Sequence, residues 1–98
     1  IMAIGGYPTA FILQNTQTVT IGSTSQQSNA LSNKMLHYRI ITSCDAHIEI
    51  GANPTATTGS ALLPAYTIEY VVIPEGSKIA FLKFATQTGT AYITECNR

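Results

Sequence analysis

The chain has 98 residues, with five acidic and five basic side chains and no formal net charge. Asp, Glu, Lys and Arg make up 10% of it, against about 25% in an ordinary soluble domain. That sparse charge argues against a nucleic-acid binder, which needs a basic patch to displace counterions, and against an electrostatic membrane binder. The length is that of one domain, small enough to need help from subunit contacts, a disulfide or a metal. No apolar run approaches the ~20 residues that span a bilayer, and the first eight residues lack the pattern of a signal peptide. Thr, Ser, Asn and Gln supply the polarity instead of charge. Such a surface suits a protein whose faces lie against other subunits; a free-standing domain with a neutral exterior has the same composition.

Residues 1–13 read as an apolar arm carrying Ile4, Tyr7, Phe11, Ile12 and Leu13, interrupted by Gly5, Gly6 and Pro8 and without a clear period. Apolar groups at this density need covering, by their own domain or by a neighbour. Ile4, Tyr7, Phe11 and Ile12 are therefore expected at an interface. From residue 14 to 21 the chain alternates, with Val19 and Ile21 on one face and Thr18 and Thr20 on the other, which is the signature of a strand. Residues 22–33 are small and polar, and residues 28–31 are a candidate short strand. Lys34-Met35-Leu36 fits either one helical turn or extended chain.

Residues 37–43 predict a strand with Tyr38 and Ile40 on one face and Ile41 on the other. Cys44 and Asp45 turn the chain into a second strand, residues 46–50, with Ile48 and Ile50 inward and His47 and Glu49 outward. A small polar loop at 51–60 and a short apolar piece ending Leu62-Leu63-Pro64 follow. Residues 67–73 place Ile68, Tyr70 and Val72 on one face, and Val71 and Ile73 with Glu69 on the other. Pro74-Glu75-Gly76 is a turn. Residues 78–85 are nearly all apolar with Lys78 and Lys83 on opposite parities, which predicts a bulge or burial on both sides. Residues 91–95 close the chain, Tyr92 and Ile93 facing opposite ways.

Six to eight strands separated by Gly, Pro, Asn and Ser turns predict an all-β protein. The expected form is an antiparallel β-sandwich, jelly-roll-like, over residues 14–98, preceded by an extended N-terminal arm at 1–13. Several strands are apolar on both faces, whereas an ordinary two-layer protein is polar outside. A subunit interface explains this; scattered surface Val and Ile are the plainer explanation.

Candidate chemistry is thin. Asp45, His47 and Glu49 stand at i, i+2 and i+4, about 7 Å apart on one face if the strand begins at Asp45. With help from another strand they would suit a metal. A cupin site resembles this in using a His and a carboxylate on strands, but it needs paired histidines and a further one later, and His37 is the only other histidine. A solvated polar face is the simpler account, and no metal or cofactor is expected. There is no Gly-x-Ser-x-Gly motif, and His47 falls on the face opposite Cys44, so no nucleophile is paired with a base and no enzyme is expected. Cys44 and Cys96 read as free, buried thiols made in a reducing cytoplasm; a bridge between strand ends is the alternative. Glycan binding on β-proteins uses exposed aromatic platforms. Here there is no Trp, and packing accounts for most of Tyr7, Tyr38, Tyr66, Tyr70 and Tyr92.

A wider resemblance runs through Thr18-Val19-Thr20-Ile21-Gly22, the stretch 38–51, and Asn53-Pro54-Thr55-Ala56-Thr57-Thr58. It continues in Leu63-Pro64-Ala65, Glu69-Tyr70, Ile73-Pro74-Glu75-Gly76-Ser77-Lys78-Ile79-Ala80 and Gly89-Thr90-Ala91-Tyr92-Ile93-Thr94-Glu95. In these pieces the chain resembles small virion structural proteins of tailed bacteriophages. The resemblance implies a non-enzymatic β-sandwich on the capsid surface of the virion, made in the bacterial host cytoplasm. A decoration or cement protein bound to the major capsid protein and to copies of itself is the first expectation. A fibre or neck component, or a carbohydrate (receptor) binding module, is the second. The arm would lie across neighbouring subunits.

Overall fold

The computed structural model describes residues 12–31 and 37–97. Ile4, Tyr7 and Phe11 of the expected interface lie outside the described residues, as does Lys34-Met35-Leu36. Among the described residues there are eight strands and no helix, and so none long and apolar enough to cross a membrane. The strands are β1 (Ile12–Ile21), β2 (Gln26–Gln27), β3 (His37–Thr42), β4 (Ala46–Gly51), β5 (Ala61–Leu63), β6 (Glu69–Val72), β7 (Lys78–Lys83) and β8 (Gly89–Asn97).

They form two antiparallel sheets of four, ordered β1-β8-β3-β6 and β2-β7-β4-β5. The pairing follows a simple rule. β1 pairs with β8, β2 with β7, β3 with β6 and β4 with β5. The chain is one long hairpin, out through β1–β4 and back through β5–β8, divided between two sheets. The β3–β8 and β4–β7 pairings complete each sheet.

Alternation decides what each strand buries. In β3, Tyr38, Ile40 and Thr42 are buried while His37, Arg39 and Ile41 are half-buried. A single apolar cluster takes Val19, Ile21, Tyr38, Ile40, Ala91 and Ile93 from the first sheet, and Ala46, Leu63, Ile79 and Phe81 from the second. Leu31 and Ile73 join it from connecting segments. Ile40, Ile79 and Phe81 are fully buried, each contributing about 1.5–3 kcal/mol relative to exposure.

β1 starts at Ile12, two residues earlier than the alternation implied, because Ile12 and Leu13 find partners in Asn97 and Cys96. Between Leu13 and Thr16 the register slips by one residue, a bulge that keeps Leu13 and Thr16 on one face. The expected strand at residues 28–31 is bonded edge chain instead: Ser28 N donates to Ile79 O and Leu31 N to Ser77 O, both at 2.8 Å. Only Gln26 and Gln27 form ladder pairs there.

β7 resolves the lysine parity question in favour of burial on both sides. Its register against β4 is unbroken, and Ile79, Ala80 and Phe81 are all fully buried. The side carrying Ala80 is covered by the loop after β4. Gln27, opposite Ala80, donates its amide to Asn53 Oδ1 (2.9 Å) and Pro54 O (2.7 Å). Ala56 N donates to Ser25 Oγ at 2.9 Å, and Pro54 and Ala56 are buried.

Two four-residue turns share one design. Ser77 N donates to Pro74 O and Thr67 N to Pro64 O, each closing i to i+3. In both, the third residue has positive φ: Gly76 at 86° and Tyr66 at 58°. That backbone is native to glycine and strained for tyrosine.

Candidate interaction surface

The side of the β1-β8-β3-β6 sheet away from the apolar cluster is exposed at Tyr70, Val72 and Tyr92 and buried at Thr94 and Cys96. Register places its rows. Arg39 stands between Tyr70 and Thr94, Ile41 beside Tyr92, and His37 between Val72 and Cys96. Tyr70, Val72 and Tyr92 are exposed, as is Ile68 just before β6 on the same parity. Thr16, Thr18 and Thr20 of β1 extend the face, and the Thr16 and Thr94 hydroxyls lie 2.9 Å apart. The result is an aromatic and aliphatic stripe over β6, β3 and β8 beside a threonine row, with Arg39 its one fixed charge among the described residues. Exposed apolar side chains grouped on one face make it a candidate interaction surface, and Tyr is enriched in such surfaces.

Tyr66 belongs to the same strand approach and is the most exposed large apolar side chain described, at 73%. Its turn is held rigidly. Ala65 N donates to Asp45 Oδ1 (2.7 Å) and Tyr66 N to Thr42 O (2.8 Å). A tyrosine in this backbone region, with most of its ring in water, carries a strain of about 1–2 kcal/mol that packing does little to offset. The sequence carried a signal for this in the pair of Pro-x-x turns, only one of which has glycine in third place.

The expected outward trio does not form a site. β4 begins at Ala46, so Asp45 stands in the turn before it. Its carboxylate accepts from Ala65 N and, at 3.2 Å, from Gln87 Nε2. His47 faces away from the apolar cluster but is only 8% exposed, because residues 51–60 fold over it. Its Nδ1 lies 3.0 Å from Ser60 O, and its ring tilts against Phe84 with centroids 5.8 Å apart. Glu49 is exposed and accepts from Ser60 Oγ at 2.8 Å. One serine thus fastens the loop to both side chains. Ile50, expected inward, is exposed at the sheet's margin. Among the described residues no three His, Cys, Asp or Glu side chains gather as metal ligands.

Cys44 and Cys96 are free, buried thiols. Cys44 belongs to the apolar cluster, on the opposite side of the sheet from His47. Burial pushes its thiol pKa up, and the neighbouring Asp45 carboxylate adds to this. Burial also raises Cys96, against a smaller opposing pull from its backbone hydrogen bond to Arg39 and the Arg39 charge. Of the expected interface residues, Ile12 is described: it opens β1 and is largely exposed. Tyr38, one of the tyrosines considered for glycans, is fully buried, while Tyr66, Tyr70 and Tyr92 are exposed.

No protein-family model matches the chain, nor does any curated protein or solved structure.

Proposed function

We propose that this chain is a non-enzymatic structural protein of a bacteriophage virion, a decoration or cement protein that binds the major capsid protein shell and copies of itself. The observation that carries a surface-binding role is the outer face of the β1-β8-β3-β6 sheet, where Ile41, Ile68, Tyr70, Val72 and Tyr92 present apolar surface with little charge. The capsid as target comes from the resemblance of the sequence. The strand order supports an eight-stranded jelly-roll sandwich, since a folded-over hairpin pairing β1 with β8 through β4 with β5 is the connectivity of that architecture. Jelly rolls serve as capsid domains, lectins and cupins alike, so the face, and not the fold, selects among them.

The test is binding to purified capsids that lack this protein, comparing the full chain with a Tyr70→Ser, Val72→Ser variant and with a chain lacking residues 1–11. Saturable binding that weakens in the face variant supports the reading. Absence of binding by the full chain overturns it. A second reading, a receptor-binding module on a fibre, draws on the exposed tyrosines at 66, 70 and 92. Glycan binding lost on Tyr66→Ala, with no capsid binding, would favour it.

A further inference from the structure

Each sheet ends in two edge strands, and three of the four are blunted. β2 has two residues. β5 has three, followed by Pro64, and β6 has four, carrying Glu69 and followed shortly by Pro74. Short length, charge and proline are the usual means by which edges avoid pairing with other chains.

β1 has none of these. It is ten residues long, with no charge, no proline and no glycine. Among the described residues β8 is the only strand paired with it. The bulge blunts only one end, and residues 16–21 run in unbroken register with β8. Their sequence, Thr-Gln-Thr-Val-Thr-Ile, is strongly β-forming and neutral. Six such residues on an edge that no described strand occupies are a template for another strand. Asn29 N donates to Gln17 Oε1 at 2.9 Å, but this holds a side chain, and among the described residues no strand occupies that ladder edge.

We propose that β1 pairs with β1 of a second copy, antiparallel about a two-fold axis, joining two four-stranded sheets into one of eight. Three features select a second copy as the occupant. The edge is uncharged, so two copies meet without repulsion. Its exposed Thr16, Thr18 and Thr20 match themselves across a two-fold, and threonine pairs stabilise neighbouring strands. The same chemistry already joins β1 to β8, where Thr16 meets Thr94 and Thr20 stands opposite Thr90. The pairing also puts the apolar stripes of two copies on one side of the joined sheet, with the two threonine rows of β1 between them. The inference stands apart from the capsid reading, since purified protein alone tests it.

The experiment is light scattering of the full chain over a range of concentrations, beside a Thr18→Lys, Thr20→Lys variant. Both threonines are exposed, so the variant retains the fold, checked by far-UV circular dichroism and its urea midpoint. The expected mass is twice 10.5 kDa for the natural chain and that of a monomer for the lysine variant, which places like charges across the axis. Tyr70→Ser with Val72→Ser, and removal of residues 1–11, are each expected to leave the dimer intact. A natural chain that stays monomeric at every concentration overturns the proposal. So does a dimer that survives the lysines, or one lost with the face or with residues 1–11.

Discussion

Asp45 and Gln87 hold each other twice: Asp45 N donates to Gln87 Oε1 at 2.9 Å, and Gln87 Nε2 returns a bond to Asp45 Oδ2 at 3.2 Å. The remaining Asp45 oxygen accepts from Ala65 N. One carboxylate therefore ties the β3–β4 turn to the β7–β8 loop and to the turn that presents Tyr66. Asp45→Ala removes both carboxylate bonds and is expected to cost about 2–3 kcal/mol, with Gln87→Ala costing about 1. Urea denaturation measures both, and equal effects would show that Ala65 does not depend on the carboxylate.

Gly89 opens β8 where Ser43 exchanges backbone and hydroxyl bonds with Thr90, 3.0 and 2.9 Å long. A Cβ at position 89 would collide with Ser43 Oγ and sit 3.1 Å from Cys44 Sγ. Gly89→Ala is expected to destabilise by about 1–3 kcal/mol, the usual range for overpacking. A melting temperature equal to that of the natural chain would contradict the crowding.

Thr42 is 1% exposed, and its hydroxyl has no hydrogen-bond partner among the described residues. Valine has nearly the same shape and leaves no polar atom to desolvate. Thr42→Val is expected to stabilise by about 1 kcal/mol, raising the melting temperature by roughly 4–8 °C in a domain of this size. A fall in melting temperature would mean that the hydroxyl is bonded in solution.

Tyr66 and Ala85 both have positive φ, 58° and 54°. Both are exposed, so glycine relieves strain while removing little packing. Each single change to glycine is expected to raise stability by about 0.5–1 kcal/mol. The two should part on function: Tyr66→Gly weakens binding to the partner surface, and Ala85→Gly leaves it unchanged. Equal binding by all three proteins would remove Tyr66 from the interface.

The thiols fix the alkaline side of the stability profile. Both hold their protons more tightly folded than unfolded, because burial disfavours the thiolate. Their contribution is complete below the ordinary thiol pKa of about 8.5 and is lost as pH rises through the shifted native values. Urea midpoints are expected to fall above about pH 8.5, and less in a Cys44→Ala, Cys96→Ala protein, compared with its own neutral-pH midpoint. Alkylation of the native thiols should be slow and should accelerate together with unfolding.

Much of this architecture is legible in the residues themselves. Tyr38 and Ile40 against Ile41, and Ile93 against Tyr92, alternate as written, because strand parity is local. Parity names two faces without saying what lies over either. His47 sits on the side expected, yet it is buried, because a loop of small residues carrying Asn53, Pro54, Ala56 and Ser60 folds across that side. Asp45 was grouped with His47 by spacing alone, and the start of β4 at Ala46 separates them. The outer face was visible as two-sided apolarity in residues 67–73. The significance of Tyr66 depended on its φ, which composition does not reveal.

The pairing of β1 with β8 carries a consequence for biosynthesis. Thr16 and Thr94, 78 residues apart, meet in a ladder between the first and the eighth strand. Until β8 has emerged from the ribosome, β1 lacks the strand it pairs with, and Val19 and Ile21 wait without the cover of the finished core. Synthesis of β8 therefore sets the earliest moment at which the first sheet can close. Copies made side by side on one message spend that interval at their most adhesive.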